Sequence, residues 1–252
     1  MEKQLLVVIM CAGEGSRVDI KNPKELCEVD GKPILSRVIN EVSELNPRKI
    51  IVIVGKHEYT IKQTITPFVN IKEIEFINQG QPLGTGHAII TAHNKLKKFN
   101  HANVLVIPGD IPFLSKDLLR DMVNNVRYAK IVISRMDNKK DYDSVNLIKN
   151  EFKGITHYFD RVTNVSNKKT QFFDTGIYVI DVLLLCKYVF DINYDNKPKE
   201  YILNDIFSVI NKNENVPIDI YKVKEIEQIN VRGIKTMKTL DDITYYMKEL
   251  QN

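Results

Sequence analysis

Residues 4–17 read QLLVVIMCAGEGSR, an unbroken apolar run that passes directly into a glycine-rich turn ending in an arginine. A continuous run of Leu, Val and Ile is typical of a parallel β-strand that is covered on both faces. The run is too short to span a bilayer, and Glu2 and Lys3 precede it where a signal peptide has a basic start. We therefore predict that the chain opens with the buried strand of an α/β domain.

Strand and helix patterns alternate from this strand through the first half of the chain. Further strands are predicted at Lys49–Val54, 73–77 and 103–107, and helices at 33–45, Glu58–Ile65, 86–96 and 115–126, the last capped by Ser115. This alternation predicts a Rossmann-like, doubly wound α/β fold with a mostly parallel sheet.

The regular alternation of predicted strands and helices ends after residue 128. Strands are predicted at Ala129–Ser134, 145–148, 154–159, 172–180 and 218–223, with a helix at 201–210 and an amphipathic terminal helix at 234–250. Short strands of this kind favour a mixed or antiparallel lobe inserted beyond the parallel sheet. Because no repeat or flexible tether separates the parts, we predict a single domain over 1–252, with halves at about 1–128 and 129–230.

Composition narrows the class of protein. The 252 residues include 36 Lys and Arg against 32 Asp and Glu, a net charge of +4 that does not predict a nucleic-acid partner. The three cysteines, Cys11, Cys27 and Cys186, form no CxxC pair. Their odd number argues against a disulfide scaffold or a zinc ribbon and favours a reducing, cytoplasmic setting. No membrane partner is expected.

The first two chemical candidates follow the opening strand. Consecutive backbone amides around Gly13 can form an anion cradle, to which the Arg17 guanidinium adds paired donors for phosphate oxygens. The P-loop pattern is absent, and Val18 stands where a dinucleotide-binding loop needs its third glycine. Pro23 stiffens the chain before Lys24, whose ammonium would suit a polyphosphate. For the glycine-rich turn alone, a tight turn with a solvated arginine is an equally open explanation. For Lys24 alone, an ordinary surface lysine is the better explanation.

Two further candidates lie at later strand ends. The segment Gln79-Gly80-Gln81-Pro82-Leu83-Gly84-Thr85-Gly86-His87-Ala88 opens a predicted helix, where a nucleotide base or phosphate can approach closely. A glutamine amide both donates and accepts hydrogen bonds, as recognition of uracil requires, whereas His87 is predicted to be structural. Asp110 follows the fourth strand, and a carboxylate beside phosphates is favourable when Mg²⁺ lies between them. An aspartate in an ordinary turn is the alternative.

In order and spacing, these elements resemble the sugar-phosphate nucleotidyltransferases, and most closely the uridyltransferase domain of the bacterial bifunctional enzyme that forms UDP-N-acetylglucosamine. The matching segments are 11–17, Pro23-Lys24, Gln79 with 83–88, 109–112, Asp174-Thr175-Gly176, 200–205, and Glu225 through Asn230 to Arg232. The resemblance covers essentially the whole chain, and its most specific part is the pattern Gln-x-x-x-Leu-Gly-Thr-Gly-His-Ala.

The resemblance implies that UTP and N-acetylglucosamine 1-phosphate react, with Mg²⁺ as cofactor, to give UDP-N-acetylglucosamine and pyrophosphate. It implies that Arg17 and Lys24 are catalytic and that Asp110 and Asn230 ligate Mg²⁺. The implied nucleotide-binding residues are Met10, Cys11, Ala12, Gly13, Gln79, Gly84, Thr85 and Gly109. The half at about 1–128 would then bind the nucleotide and the half at 129–230 the sugar. The sequence does not indicate an oligomeric state.

The chain departs from the family pattern mainly on the side that would bind sugar. Asp143 replaces a glycine, His157 a glutamate and Asp174 an asparagine, while Pro108 replaces an aromatic residue. The first three are the implied sugar-binding residues, so the sugar is less firmly predicted than the nucleotide. Because a carboxylate only accepts hydrogen bonds, we expect the sugar to supply donors to Asp174.

Three other interpretations stay open. A related transferase would use CTP, GTP or a non-sugar phosphate, and a catalytically silent module would only bind the nucleotide sugar. An NAD-binding Rossmann protein is disfavoured by Val18.

Overall fold

The computed structural model describes residues 3–13, 23–135, 142–157, 172–194 and 199–234, together with Thr239, Asp241, Asp242 and Tyr245. The strands of these residues are β1 (Gln4–Cys11), β2 (Glu28–Val29), β3 (Lys32–Pro33), β4 (Lys49–Val54), β5 (Ile74–Asn78), β6 (Ala102–Pro108), β7 (Ala129–Ser134), β8 (Ser144–Ile148), β9 (Glu151–Thr156), β10 (Phe172–Asp181) and β11 (Asp219–Lys222). The helices are α1 (Ile34–Ser43), α2 (Glu58–Ile65), α3 (Thr85–Leu96), α4 (Lys116–Val123), α5 (Val182–Tyr188) and α6 (Asp205–Glu214).

Nine of these strands form one mixed sheet in which β11, β7, β10, β6, β1, β4 and β5 lie side by side. The half formed by β6, β1, β4 and β5 is parallel throughout. Strand β10 then runs antiparallel to both β6 and β7, and the β8–β9 hairpin branches from it. The predicted doubly wound, mostly parallel sheet with an inserted antiparallel lobe is confirmed.

The burial of strand β1 explains why its sequence is apolar after Gln4. Val7 and Ile9 pack into a core formed with α1, α2 and α4, whereas Leu6 and Val8 pack into a second core formed with α3, α5 and α6. All four side chains are fully buried. Because successive side chains of a strand point to opposite faces, burial on both faces leaves no polar position between Leu6 and Ile9.

Several element boundaries differ from the prediction. The Ser115 side chain accepts a hydrogen bond from the Leu118 amide, so the predicted cap of α4 is confirmed. Helix α5 is absent from the prediction although Asp181 caps it, because it follows β10 without a loop. Helix α6 begins at Asp205, not at residue 201, because tertiary hydrogen bonds hold residues 201–203 in a loop.

Parts of the prediction lie outside the described residues, including 158–159 of one strand and most of the helix at 234–250. The four described residues beyond 234 are helical. Among the helices that the structure describes, none combines the length and apolar character needed to cross a membrane.

Candidate active site

A cavity of ≈ 590 Å³ opens at the carboxyl ends of β1 and β6, where the parallel half of the sheet meets β10. Ligands of open α/β sheets bind beyond these strand ends. The cavity brings together ten of the predicted site residues: Met10, Ala12, Gly13, Lys24, Gln79, Gly84, Thr85, Asp110, Asp143 and Asp174. The residues implied for nucleotide, sugar and metal therefore border a single space.

Cys11 and Gly109 lie behind the cavity wall. The Gly109 amide donates to the Met10 carbonyl across 3.0 Å, which joins the ends of β1 and β6. A Cβ added at Gly109 would collide with the Cys11 sulfur, so this position requires glycine. Burial raises the pKa of the Cys11 thiol well above its ordinary value, which keeps the sulfur neutral. In this structure the two residues pack the strand ends and do not face a ligand.

Lys24 and Asp110 form the charged centre of the cavity. The Lys24 ammonium donates to Asp110 Oδ2 across 2.5 Å, and the Asp110 side chain is only 5% exposed. Burial disfavours the charged ammonium, yet the Asp110 and Glu25 carboxyls outweigh it and raise the pKa of Lys24. An ammonium has three protons, so Lys24 can hold Asp110 and still donate to a phosphate oxygen.

Glu25 is a residue of this centre that sequence reasoning missed. It lines the cavity beside Lys24, only 2% of it is exposed, and its Oε2 has no hydrogen-bond partner among the described residues. Burial, with the nearby Asp110 charge, raises the pKa of Glu25 to about 7. The signal available in the sequence was a carboxyl next to Lys24, in a segment already expected to approach a ligand.

The loop before α3 is fixed by backbone contacts with residues 201–203. The Gly86 amide donates to the Tyr201 carbonyl at 2.7 Å, and the Tyr201 amide donates to the Leu83 carbonyl at 2.9 Å. Gly84 has φ +100°, and a Cβ there would lie 2.5 Å from the Tyr201 oxygen. Only glycine combines that backbone conformation with that close approach. The Thr85 hydroxyl accepts from the Leu203 amide at 3.0 Å, so it also holds this junction.

Gln79 presents a defined hydrogen-bonding group to the cavity. Its amide nitrogen donates to the Gly84 carbonyl at 2.9 Å and lies 3.1 Å from His87 Nδ1. Because a carbonyl can only accept, the contact with Gly84 fixes which end of the amide is nitrogen. His87 has the structural role that we predicted for it. Within the described residues, the Gln79 carbonyl oxygen remains to accept a hydrogen bond from a ligand.

On the opposite wall, Asp174 is saturated by the protein itself. Its oxygens accept hydrogen bonds from the Gly176 amide at 2.9 Å, the Tyr178 hydroxyl at 2.5 Å and the Asn204 amide nitrogen at 2.7 Å. Burial raises the pKa of Asp174 in spite of these donors. We expected the sugar to supply donors to this carboxylate, but the chain supplies three of them.

A β-bulge produces this arrangement. The register between β10 and β7 shifts between Asp174 and Tyr178, and Gly176 there has φ +80°. A Cβ at Gly176 would lie 3.1 Å from the Pro108 ring, so the bulge packs against the end of β6. Bulges bend a strand and redirect its side chains, which turns Asp174 toward the cavity.

His157 lies behind the wall of the cavity that Asp143 and Asp174 form, which we call the acceptor wall. Its Nδ1 lies 3.1 Å from Asp143 Oδ2 and its Nε2 lies 2.9 Å from Asp205 Oδ1. Burial disfavours a charged imidazole, but hydrogen bonds to these carboxylates raise the pKa of His157 to about 10. The Asn204 side chain joins Asp143 to Asp174 through donated hydrogen bonds. Asp143 therefore faces the cavity, and the cationic His157 holds it in place.

The segment around Asn230 returns to the Asp110 end of the cavity. Val231 and Gly233 line the cavity, and the Ile234 amide donates to the Asp110 carbonyl at 3.2 Å. A Cβ at Gly233 would lie 2.8 Å from Asp110 Oδ1. Asn230 itself is half-buried in the turn Glu225–Val231 and is not part of the lining. The predicted return of the chain is present, although this structure places Asn230 beside the cavity.

Arg17 lies outside the described residues. Within the described residues no group of three or more His, Cys, Asp and Glu side chains forms a metal centre. The donor set nevertheless fits a hard cation such as Mg²⁺, because Asp110 and Glu25 line one cavity and a buried oxygen of Glu25 has no hydrogen-bond partner among the described residues. A site completed by ligand phosphates needs few protein oxygens.

Comparison with known proteins agrees with this geometry. The chain is 29% identical over 241 residues to the bifunctional protein GlmU of Francisella tularensis subsp. holarctica (strain OSU18), an alignment that covers 95% of this chain and 51% of that protein. The chain thus spans about half the length of the curated relatives it matches.

Two solved structures share the fold. The inositol-1-phosphate CTP transferase from T. maritima has a TM-score of 0.71 at 11% identity, with 98% of each chain covered. A UDP-glucose pyrophosphorylase complexed with UDP-glucose has a TM-score of 0.71 at 16% identity, with 97% of this chain and 99% of that chain covered.

A family model supplies the assignment. It is described as a MobA-like NTP transferase domain and matches residues 7–174, which is more than half of the chain. The match includes the cavity residues from the glycine-rich turn to Asp174, and it confirms the resemblance to nucleotidyltransferases that the motifs indicated. The chain belongs to the family of MobA-like NTP transferase domains.

Proposed function

We propose that this chain is a uridylyltransferase that converts UTP and N-acetylglucosamine 1-phosphate to UDP-N-acetylglucosamine and pyrophosphate. The observation that carries this proposal is the single cavity bordered by the Lys24–Asp110 pair, the Gln79–Thr85 loop and the Asp143–Asp174 wall. Such a cavity can hold a nucleotide and an acceptor phosphate side by side, as direct transfer between them requires.

Gln79 supports the choice of uracil. Both protons of its amide nitrogen are directed to Gly84 and His87, so its carbonyl oxygen is the group that remains for a base. An acceptor of this kind pairs with the N3–H of uracil and is mismatched with cytosine, whose N3 is itself an acceptor. An unmatched polar pair in a buried site is strongly unfavourable.

The proposed chemistry is an in-line displacement. A phosphate oxygen of the sugar 1-phosphate attacks the α-phosphorus of UTP and forms a new P–O bond, while the bond to the bridging oxygen breaks and pyrophosphate leaves. No covalent protein nucleophile is needed, because the attacking oxygen is already an anion. The Lys24 ammonium, held by Asp110, would donate to phosphate oxygens as charge moves toward the leaving group. Arg17 has the same proposed role from the glycine-rich turn.

Asp110 and Asn230 are the proposed protein ligands of Mg²⁺. When bound, this ion supplies neutralisation of the triphosphate charge. The chain's own contribution is to hold the Asp110 carboxylate in place, through Lys24 at one oxygen and through the Gly233 segment that packs against the other.

The acceptor wall supports a sugar phosphate without fixing which one. Asp143 and Asp174 line the cavity, but three donors from the protein already satisfy Asp174. We assign Asp143, together with Asp174, to sugar hydroxyl or amide groups because both residues line the cavity. A hexose phosphate without the N-acetyl group is the second candidate acceptor, because Asp143, His157 and Asp174 all differ from the family pattern.

A substrate panel tests the proposal. Pyrophosphate release is measured for UTP, CTP and GTP, each with N-acetylglucosamine 1-phosphate, glucose 1-phosphate and galactose 1-phosphate, and the products are identified by chromatography. We expect UDP-sugar with UTP and much slower release with CTP. Faster turnover with CTP would contradict the role of Gln79, and turnover of a different hexose phosphate would replace the proposed acceptor. Calorimetric binding of UTP without turnover of any acceptor would show a silent module.

A further inference from the structure

Glu25 is the feature of the cavity that the proposed function does not use. It follows Lys24 in the short turn Lys24–Leu26, and the whole residue is 2% exposed. A Cβ built on Gly109 would lie 3.3 Å from Glu25 Cγ, so the side chain packs on the peptide that immediately precedes Asp110. A carboxyl group is thus buried at the centre of the cavity, next to the predicted metal ligand.

Among the residues that the structure describes, which do not include Arg17, the charges around Glu25 do not balance. The ammonium of Lys24 lies on Asp110, while Glu25 Oε2 has no hydrogen-bond partner in the described parts of the chain. The other ionisable groups that act on Glu25 are Lys24 and Asp110, and the neighbouring Cys11 and Cys27 thiols carry no positive charge. Two carboxyl groups therefore share one ammonium. A buried carboxylate oxygen without a hydrogen-bond partner is strongly unfavourable, and more so than an unpartnered neutral group.

The approach of a nucleotide makes this imbalance larger. A triphosphate is strongly negative, and an ionised Glu25 beside it would repel the phosphates unless a positive charge lay between them. A hard divalent cation binds carboxylate and phosphate oxygens together, and it removes both the repulsion and the unpaired oxygen.

We propose that Glu25 is a second carboxylate ligand of the divalent-cation site, beside Asp110. This inference rests on the proposed function for the identity of the bound phosphates, but the cation site itself involves only residues of this chain. With Glu25 and Asp110 as two carboxylate ligands, the protein can bind a divalent cation before the nucleotide binds. The glycine at 109 allows Glu25 to reach this position, because a side chain there would displace the Glu25 stem.

Mn²⁺ binding to the protein without nucleotide tests the inference. Free Mn²⁺ is measured by electron paramagnetic resonance at pH 8 for the parent, Glu25→Gln and Glu28→Gln. Glu28 is an exposed carboxylate three residues away, so its variant removes the same charge without removing a ligand. We expect Glu25→Gln to weaken Mn²⁺ binding by about tenfold or more, because even residues that only orient a ligand typically change metal affinity ~10–100-fold. Glu28→Gln should bind as the parent does.

Equal Mn²⁺ affinity of Glu25→Gln and the parent would overturn the inference, as would the absence of Mn²⁺ binding in both. If Glu25→Gln does not fold, the parent protein is labelled with ¹³C at its glutamate carboxyls and the Glu25 signal is assigned through Glu25→Asp. Mn²⁺ should then broaden the Glu25 carboxyl signal at concentrations that leave Glu28 sharp, and equal broadening of the two would contradict the proposal. Neither measurement involves turnover. A parent protein that binds Mn²⁺ through Glu25 but makes no UDP-sugar would therefore contradict the proposed function and leave the cation site supported.

Discussion

The two walls of the cavity are built on different principles. The wall that we assign to the nucleotide, around Lys24, Gln79 and Gly84, is shaped by backbone. Glycines at 84 and 109 admit a neighbouring carbonyl and a sulfur, and Lys24 with Asp110 forms a charged pair there. The acceptor wall is a network of side chains in which Asn204 and His157 connect three aspartates. Where backbone atoms make the close contacts, few residue types fit at each position. Where side chains bond to one another, several of them can be substituted jointly so that their charges still match. This difference explains why the departures from the family pattern gather on the acceptor wall.

The largest expected effect is the loss of the charged pair. Lys24→Ala and Asp110→Ala should each lower the rate of UDP-sugar formation by ~10²–10³, because a preorganised charge contact in a buried site acts on the transition state. The measurement is pyrophosphate release at saturating substrates. Lys32→Ala removes an exposed lysine from the β2–β3 hairpin and should leave the rate unchanged. Rates near that of the parent in either cavity variant would remove that residue from its proposed role.

The next effect concerns the backbone of the nucleotide wall. Gly84→Ala places a Cβ 2.5 Å from the Tyr201 oxygen at φ +100°, whereas Gly31→Ala meets open space at φ +67°. Gly31→Ala takes on the left-handed strain of about 1–2 kcal/mol. Gly84→Ala takes on about 1–3 kcal/mol for a backbone conformation (φ +100°, ψ 173°) that is essentially restricted to glycine, and overpacking adds about 1–3 kcal/mol. Urea unfolding should therefore show Gly84→Ala to be the less stable of the two, with a raised KM for UTP. Equal stabilities would show that residues 201–203 yield to the added methyl group.

The acceptor wall is expected to respond through binding. His157→Gln removes the cation between Asp143 and Asp205 but keeps a hydrogen-bonding side chain. The KM for the sugar phosphate should rise about tenfold, which corresponds to one charged hydrogen bond of about 1.5 kcal/mol, while the KM for UTP stays unchanged. His101→Gln, at an exposed position, is the matched control. A raised KM for UTP in His157→Gln would show that the two walls are not separate.

A separate effect is expected on the pH dependence of stability. The pKa of His157 is raised from an ordinary 6.5 to about 10, so the folded protein binds this proton more tightly than the unfolded chain. The resulting stabilisation is complete below about pH 6.5 and is lost as the pH rises toward 10. The free energy of unfolding of the parent should fall relative to that of His157→Gln between pH 7 and 10. Parallel curves over this range would contradict a charged His157.

Much of the fold was predictable because the spacing of apolar residues along the sequence indicates which side chains are buried. The runs of β1 and β4 and the spacing of α1 are direct consequences of a sheet covered on both faces. Helix α5 was not predicted because it follows β10 with no intervening turn residues. The start of α6 was misplaced because residues 201–203 are held by hydrogen bonds to a loop more than a hundred residues away.

Residues that line the cavity were predictable where a motif follows a strand end, as at Gln79 and Asp110. Contacts that span the chain were not predictable. The hydrogen bond between Asn204 and Asp174 joins α6 to β10, and the burial of Glu25 depends on the glycine at 109. The expectation that a sugar must satisfy Asp174 failed for the same reason, because the residue letter alone does not show the three donors that the fold brings to it.

The most direct test of the division between the walls is the rate of UDP-sugar formation, measured by chromatography in a single turnover with both substrates raised to saturation. The account predicts that saturating sugar phosphate restores His157→Gln to nearly the parent rate, while Lys24→Ala stays ~10²–10³ slower at any concentration of either substrate. Rescue of Lys24→Ala by UTP, or a His157→Gln rate that stays low at saturation, would contradict it.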